Sequence, residues 1–477
     1  MKKKDYWLWG IFLLALFLRL YHIGNQSLWS DEAYDLWVGQ QNFATFKTTL
    51  FYYDNHPPLF FSFLWGWEWL LKQLHWPLSE ANTRFPFALF SCFQVIILYQ
   101  LAKSLWGDKV AKLSAFCLAI SASHIIIGQE IKMYSLLGLF SLGSVFFLYR
   151  WLNERKTSCF YAYILFTVLA LYTHYHAFIL LALEELYLIG FIKKISFRHW
   201  FYCQLLLLLS YLPWLPVFLL HLKHHKNVIL ETPGSLHNFF DTFLILFHGY
   251  PIHITPWNIF YLGLLTFLFI GLFSPSKSLI PSLKAEWLLY PIVFLPVAVM
   301  TLLSCIPPYT LYTPRQMIYL LPFFLLLWIK SYPHFISKIL LMTFLILNLF
   351  SLGQWYYNPE CQRAHWNQVG KIFKEEAEPK DAIIIQNSFQ ILAFEYYYPG
   401  SQAIYSFDKN TPNQNIASIL KRYHRVWFIS CYGWMVDPER KIAKWLGQNY
   451  LPVKIINLKN TFDPDGRIVI ILFENNH

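Results

Sequence analysis

Two carboxylates stand side by side at Asp31-Glu32, shortly beyond the hydrophobic run, residues 6–22, that opens the chain. Adjacent acids beside a membrane surface lose solvation free energy if their surroundings are even partly dry, so they face water, a cation or a substrate. An Asp so placed can take a proton from a substrate hydroxyl while its neighbour orients a ligand or metal; a pair of solvated loop acids is the alternative. Gly128-Gln129-Glu130-Ile131-Lys132-Met133-Tyr134 puts a carboxylate and a cation in a short turn between two apolar runs, either as working groups or as an internal ion pair. In Asn55-His56-Pro57-Pro58-Leu59 the double proline breaks the chain and starts a new segment. His56 reads equally as a surface histidine or as a ligand to the acidic site. Glu80 and Arg84, spaced i,i+4, read as a structural ion pair. His174 and His176 in Tyr172-Thr173-His174-Tyr175-His176 do not share a helix face and make a weak metal site by themselves. Arg315, in Thr313-Pro314-Arg315 at the start of an apolar run, is suited to gripping a phosphate bidentately or to snorkelling among lipid headgroups.

The elements that carry these residues belong to a bilayer. Of 477 residues, 56% are hydrophobic and 14% charged, with 44 Phe, 31 Tyr and 20 Trp; soluble domains average about 25% charged. Apolar runs fall near 6–22, 85–104, 111–128, 133–152, 159–174, 177–192, 200–220, 257–273, 286–305, 316–330 and 336–355, each near the length needed to cross. The N-terminal run follows three lysines and no small-residue cleavage site follows it, so it reads as an uncleaved first span. Residues 57–76 are apolar too, but hold Glu68, Lys72 and several Trp. If they do not cross, Lys103, Lys109, Lys112, Arg150, Arg155, Lys156, Lys193, Lys194, Arg198, Lys277, Lys284, Lys330 and Lys338 all lie in inside loops. If they do, these basic residues move outside. The positive-inside bias therefore assigns 57–76 to the outer interface as short helices. It also accounts for the formal charge of +11 without nucleic acid as a partner.

This topology of about eleven spans puts Asp31-Glu32, His56, Glu130, Lys132, His174 and Arg315 on the extracytoplasmic side. Residues 1–355 form the membrane domain. Residues 356–477, where charges return and short β-rich runs (382–386, 403–407, 426–430, 453–458, 468–473) alternate with helical stretches 364–377 and 438–447, form an extracytoplasmic α/β domain with a largely parallel sheet. Of seven cysteines, Cys361 and Cys431 lie in this domain, and whether they pair is left open.

The order of motifs resembles bacterial members of glycosyltransferase family 39, the protein-mannosyltransferase-like group of the GT-C fold, which includes the aminoarabinose transferases. The resemblance runs through Ser27-Leu28-Trp29-Ser30-Asp31-Glu32-Ala33-Tyr34, His56-Pro57-Pro58-Leu59, Ser79-Glu80 with Arg84-Phe85-Pro86, Ser123-His124 with Gln129-Glu130 and Met133-Tyr134-Ser135-Leu136, then Tyr172-Thr173-His174-Tyr175 and Pro314-Arg315. It implies a mainly α, polytopic membrane glycosyltransferase in the cell inner membrane, N-terminus cytoplasmic. Such an enzyme moves a sugar from a polyprenyl-phosphate donor to a protein, glycolipid or polysaccharide acceptor. It implies Asp31 as base with Glu32 beside it, Glu130 as the second-loop acid, Lys132 and Arg315 on the donor phosphate, and His56, Glu80, Arg84, Tyr134 and His174 in support. Lys132 stands where the family has Arg, keeping charge without the bidentate fork. A divalent cation, Mg²⁺ or Mn²⁺, on Asp31, Glu32 and Glu130 is left open. The rival readings are a polysaccharide polymerase or ligase using the histidines of 221–256, and a lipid-linked-sugar transporter.

Overall fold

The computed structural model describes residues 6–190, 197–224, 236–249, 283–305, 313–331, 334–406, 420–459 and 467–475. Two compact units divide the chain: one takes residues 1–23, 38–250 and 254–352, the other 24–37, 251–253 and 353–477.

Ten of the eleven apolar runs fall on described helices; the run 257–273 lies outside the described residues. The helices of the first unit are α1 (Tyr6–Leu20), α3 (Phe43–Thr48), α4 (Leu59–Gln73), α5 (Glu80–Trp106), α6 (Asp108–Ile120), α7 (Ala122–Gly128), α8 (Tyr134–Glu154), α9 (Thr157–Leu171), α10 (Ala177–Gly190), α11 (Phe197–Tyr211), α12 (Leu215–His224), α13 (Leu236–His248), α14 (Leu283–Ser304) and α15 (Leu321–Ser331). α2 (Ser30–Gly39) and α16 (His334–Tyr357) each have residues in both units. Among the described residues, α5, α8 and α14 are long and apolar enough to cross a membrane, and the bent pairs α6–α7 (58°) and α11–α12 (67°) each pass as one broken span.

The α6–α7 break shows how a broken span keeps its backbone satisfied where no water is at hand. Ser121 is extended there (φ −62°, ψ 119°). Arg19, fully buried on α1, donates to the carbonyls of Ala119 (2.9 Å) and Leu118 (3.1 Å) that end α6. On the other side, the orphaned N–H of Ala122 donates to Asn348 Oδ1 at 2.8 Å. Pro213 interrupts the second bent pair, as its missing N–H and fixed φ dictate.

α4 is the segment that charge parity assigns to the interface. It is 15 residues long and starts right after the double proline. Its indoles are tied to neighbouring chain: Trp65 Nε1 donates to the Gln41 carbonyl (3.0 Å) and Trp67 Nε1 to that of Asn82 (2.9 Å). The basic residues gather at the ends of α5, α6 and α8 remote from α4's start. Lys112 pairs with Asp108 (2.5 Å), Arg150 with Glu154 (2.5 Å), and Lys330 sits 4.7 Å from the Trp106 ring.

The second unit holds a five-stranded sheet of β1 (Ala382–Ile385), β2 (Ala403–Ser406), β3 (Arg425–Ser430), β4 (Tyr450–Leu458) and β5 (Ile468–Asn475), in the order β2-β1-β3-β5-β4. Its helices are α17 (Trp366–Glu376), α18 (Ile391–Tyr397), α19 (Gly433–Val436) and α20 (Lys441–Asn449). All five β-rich runs become strands. The sheet is mixed, however: β2-β1-β3 is parallel, while β5 is antiparallel to both β3 and β4. β1 and β3 are buried on both faces. Ile383 and Trp427 join one core with Trp366 and Phe394, and Ile384 and Phe428 another with Leu446 and Tyr450. Cys361 and Cys431 are both buried.

Candidate active site

At one end of the first unit the motif-bearing turns meet. The Leu59 N–H, at the start of α4, donates to the Tyr172 carbonyl at 2.9 Å, tying the double-proline segment to the turn 172–176 between α9 and α10. The His56 ring lies 5.7 Å from that of His174, which lies 4.3 Å from that of His176. Tyr134, opening α8, places its ring 6.1 Å from His174. His176 lies 6.2 Å from Tyr319 of the 3₁₀ helix Pro314–Leu320. Arg315 is the second residue of that helix, whose entry is set by Pro314 and by the Thr313 N–H, which donates to Gln316 Oε1 at 3.4 Å.

Asp54 was missed by the sequence motifs and belongs to this cluster. Its buried carboxylate accepts from the His56 backbone N–H (2.8 Å) and lies 2.9 Å from His56 Nδ1. Burial pushes its carboxyl up, but the charge and hydrogen bonds of His56, with the Lys132 ammonium, outweigh this and hold it below the usual carboxylate range. Only a D-x-H spacing could have signalled Asp54, and that spacing is common in loops.

His174 Nδ1 accepts from the His176 N–H at 3.1 Å, so its proton sits on Nε2. Burial, then the neighbouring His176 and His56, push His174 well down from the usual histidine range; burial brings His176 down to about 4. Both rings are therefore neutral at physiological pH. Tyr175 Oη lies 2.7 Å from His221 Nδ1, and His221 Nε2 lies 3.1 Å from the Leu50 carbonyl, which joins α12 to the same end.

Glu130 and Lys132 occupy the turn between α7 and α8, both buried. Gln129 anchors this turn by donating to the carbonyls of Arg19 (3.0 Å) and Tyr21 (2.8 Å). Gly128 lets α7 approach α5, since a Cβ there would stand 2.7 Å from Ser91 Oγ. Arg19 also donates to Ser91 Oγ (2.6 Å) and lies 2.6 Å from His124 Nδ1, so one buried guanidinium links α1, α5, α6 and α7 behind the turn. Glu80 lies in the first turn of α5, which Ser79 caps, and buried Arg84 donates to the Ile23 carbonyl at 3.1 Å.

Asp31 and Glu32 belong to the second unit, in the first turn of α2. There the helix dipole favours carboxylates. Asp31 is partly exposed and Glu32 fully buried. Among the described residues, no group of three or more His, Cys, Asp or Glu side chains is placed to hold a metal ion.

Residues 55–217 match the family model described as dolichyl-phosphate-mannose-protein mannosyltransferase. No curated protein matches the chain in sequence. Among solved structures, ArnT from Cupriavidus metallidurans bound to undecaprenyl phosphate is similar over 98% of both chains at 11% identity (TM-score 0.59). The apo state of that protein gives 12% identity over 98% of this chain and 97% of that one (TM-score 0.52). The oligosaccharyltransferase of Archaeoglobus fulgidus in its apo form covers 93% of this chain and 71% of its own at 12% identity (TM-score 0.52). The helical unit with its small sheet unit shares the fold of the ArnT structures, and residues 55–217 are similar to the protein-mannosyltransferase family.

Proposed function

We propose that this protein moves a sugar from a polyprenyl-phosphate donor to a hydroxyl acceptor at the extracytoplasmic face of the cell inner membrane. The observation that carries this reading is the cluster of Lys132, the Asp54–His56 pair, His174 and Arg315's 3₁₀ helix at one end of the membrane unit, largely within the matched segment. The similar ArnT structure was solved with undecaprenyl phosphate, which supports a lipid phosphate as the ligand class. Basic residues at the opposite helix ends support the outward orientation of the cluster.

The chemistry is an inverting displacement. The acceptor oxygen attacks the anomeric carbon from the face opposite the phosphate, and the new C–O bond forms as the sugar–phosphate bond breaks. The bond pair leaves with the polyprenyl phosphate. Asp31, the more exposed acid of its pair, takes the hydroxyl proton, and Glu32 supports it. Lys132 and Arg315 offset the charge that grows on the leaving phosphate, with Glu130 as the second acid of the site. A phosphate leaves without a proton, so one base and two cations suffice, unlike a glycosidase with its two carboxyl groups. No step is routed through a divalent cation. His56, Glu80, Arg84, Tyr134 and His174 shape the site.

Asp31→Asn tests the reading. In membranes supplied with a lipid-linked sugar it should insert normally and lose transfer. Full transfer by that variant sinks the assignment of the base.

A further inference from the structure

We propose that the sheet-bearing C-terminal domain is the mount of the acid-bearing segment, so that its part in the reaction is to position Asp31. This rests on the reading of Asp31 as base. Residues 24–37 are separated from residue 353 by more than 300 residues of chain, yet they form one compact unit with 353–477. The attachment is polar and apolar at once, and it flanks the two acids on both sides. Before them, the Leu28 N–H donates to the Tyr397 hydroxyl at 2.7 Å, and Ser27 Oγ donates to the Ala364 carbonyl. The Gln26 amide accepts from the Arg363 N–H (3.3 Å) and donates to the Trp355 carbonyl (3.2 Å). The Arg363 guanidinium lies 4.5 Å from the Trp29 ring and 5.9 Å from that of Trp355. After the acids, Ala33 is part of the core that contains Trp366, Phe394 and Trp427, and the Tyr34 ring stacks near Phe389 at 6.5 Å.

Ser30, Asp31 and Glu32 therefore have anchored residues on both sides and little freedom of their own relative to the domain. Tyr397 and Ser27 are positioning residues: each fixes backbone within four residues of Asp31. Removing the Tyr397 hydroxyl leaves the Leu28 N–H without this acceptor, and the chain must shift to find another. A displacement of about 1 Å in a proton-accepting group can cost up to ~10²-fold in rate.

The experiment uses the full-length protein in membranes or micelles, with Tyr397→Phe and Ser27→Ala read side by side. Two quantities are measured: kcat and donor KM with a lipid-linked sugar, and amide hydrogen exchange of residues 26–36. The expected result is a kcat lowered by about tenfold to a hundredfold and a donor KM within about twofold of the parent. Exchange across 26–36 should quicken while β1 and β3 stay protected. Where Tyr397→Phe loses protection across its whole sheet, Ser27→Ala decides alone, because its side chain lies outside the sheet core. Unchanged exchange across 26–36, or quickened exchange with unchanged kcat, overturns the proposal. Failure here is distinct from failure of the base assignment: an active Asp31→Asn removes the latter, whereas an inactive Asp31→Asn beside fully active Tyr397→Phe and Ser27→Ala removes only the mount.

Discussion

Arg19→Met tests whether a single buried cation holds the broken α6–α7 span together. Two effects oppose each other. Replacing a buried charge with an apolar side chain of similar size relieves a desolvation penalty and is often neutral or stabilising when nothing is left unpaired. Here something is left unpaired. The carbonyls of Leu118 and Ala119 end α6, where the helix can offer them no N–H, and Arg19 donates to both. Ser91 Oγ and His124 Nδ1 already lie 3.1 Å apart and can satisfy each other, and the Ala15 carbonyl keeps its place in α1, so these add little. Two buried orphaned carbonyls at roughly 1–3 kcal/mol each give a loss of about 2–6 kcal/mol. Arg19→Met should therefore lower the unfolding midpoint in detergent, followed by tryptophan fluorescence, by about 2–6 °C. Transfer should fall as well, because the guanidinium also holds His124 and Ser91 behind the Glu130–Lys132 turn. Arg19→Lys, with one donor head for two carbonyls, should fall between. A Met variant as stable as the parent would refute the reasoning, since it would mean that the break is satisfied without the guanidinium.

Two further predictions concern the cluster around His174. Burial brings the His176 imidazole down to about 4 from its ordinary 6.5, so between these values the folded protein binds fewer protons than the unfolded chain. Stability therefore rises with pH across that window and is lost on acidification. The full difference is worth ~3 kcal/mol; the unfolding midpoint measured from pH 7 down to pH 4 should fall, and His176→Phe should flatten the curve. Lys132→Ala should lower kcat/KM for the lipid-linked donor by roughly 10²–10³-fold, while Lys132→Arg, keeping the charge and adding a fork, should retain most of it; equal losses in both variants would count against a phosphate role.

Much of this architecture was legible in the residues. Apolar run length depends only on composition over a window, and ten of the eleven runs appear as described helices. The helix within 57–76 was legible from the double proline and the apolar run that follows it. The strands of the C-terminal domain were legible because β-branched and aromatic runs are local. Their pairing was not: β5 inserts between β3 and β4 and turns antiparallel, which depends on which edges meet, not on any one strand's composition. Asp54 was illegible for a similar reason. Beside the nearby His56, it faces the charge of Lys132, which is too distant in sequence for any motif to unite all three.

Residue type and spacing alone determined the membrane class, the paired acids, the cation in a short turn and the family likeness. These follow from transfer free energies and short-range backbone preferences, which each segment carries with it. Only tertiary structure decided that the acids at Asp31-Glu32 are built into the C-terminal domain, that Arg19 closes a broken helix behind Glu130 and Lys132, and that Asp54, His56, His174 and His176 form one cluster. The physical reason is that hydrogen bonds and ring contacts act over a few ångströms of space. Between residues far apart in the chain, that distance is set by how the whole molecule packs.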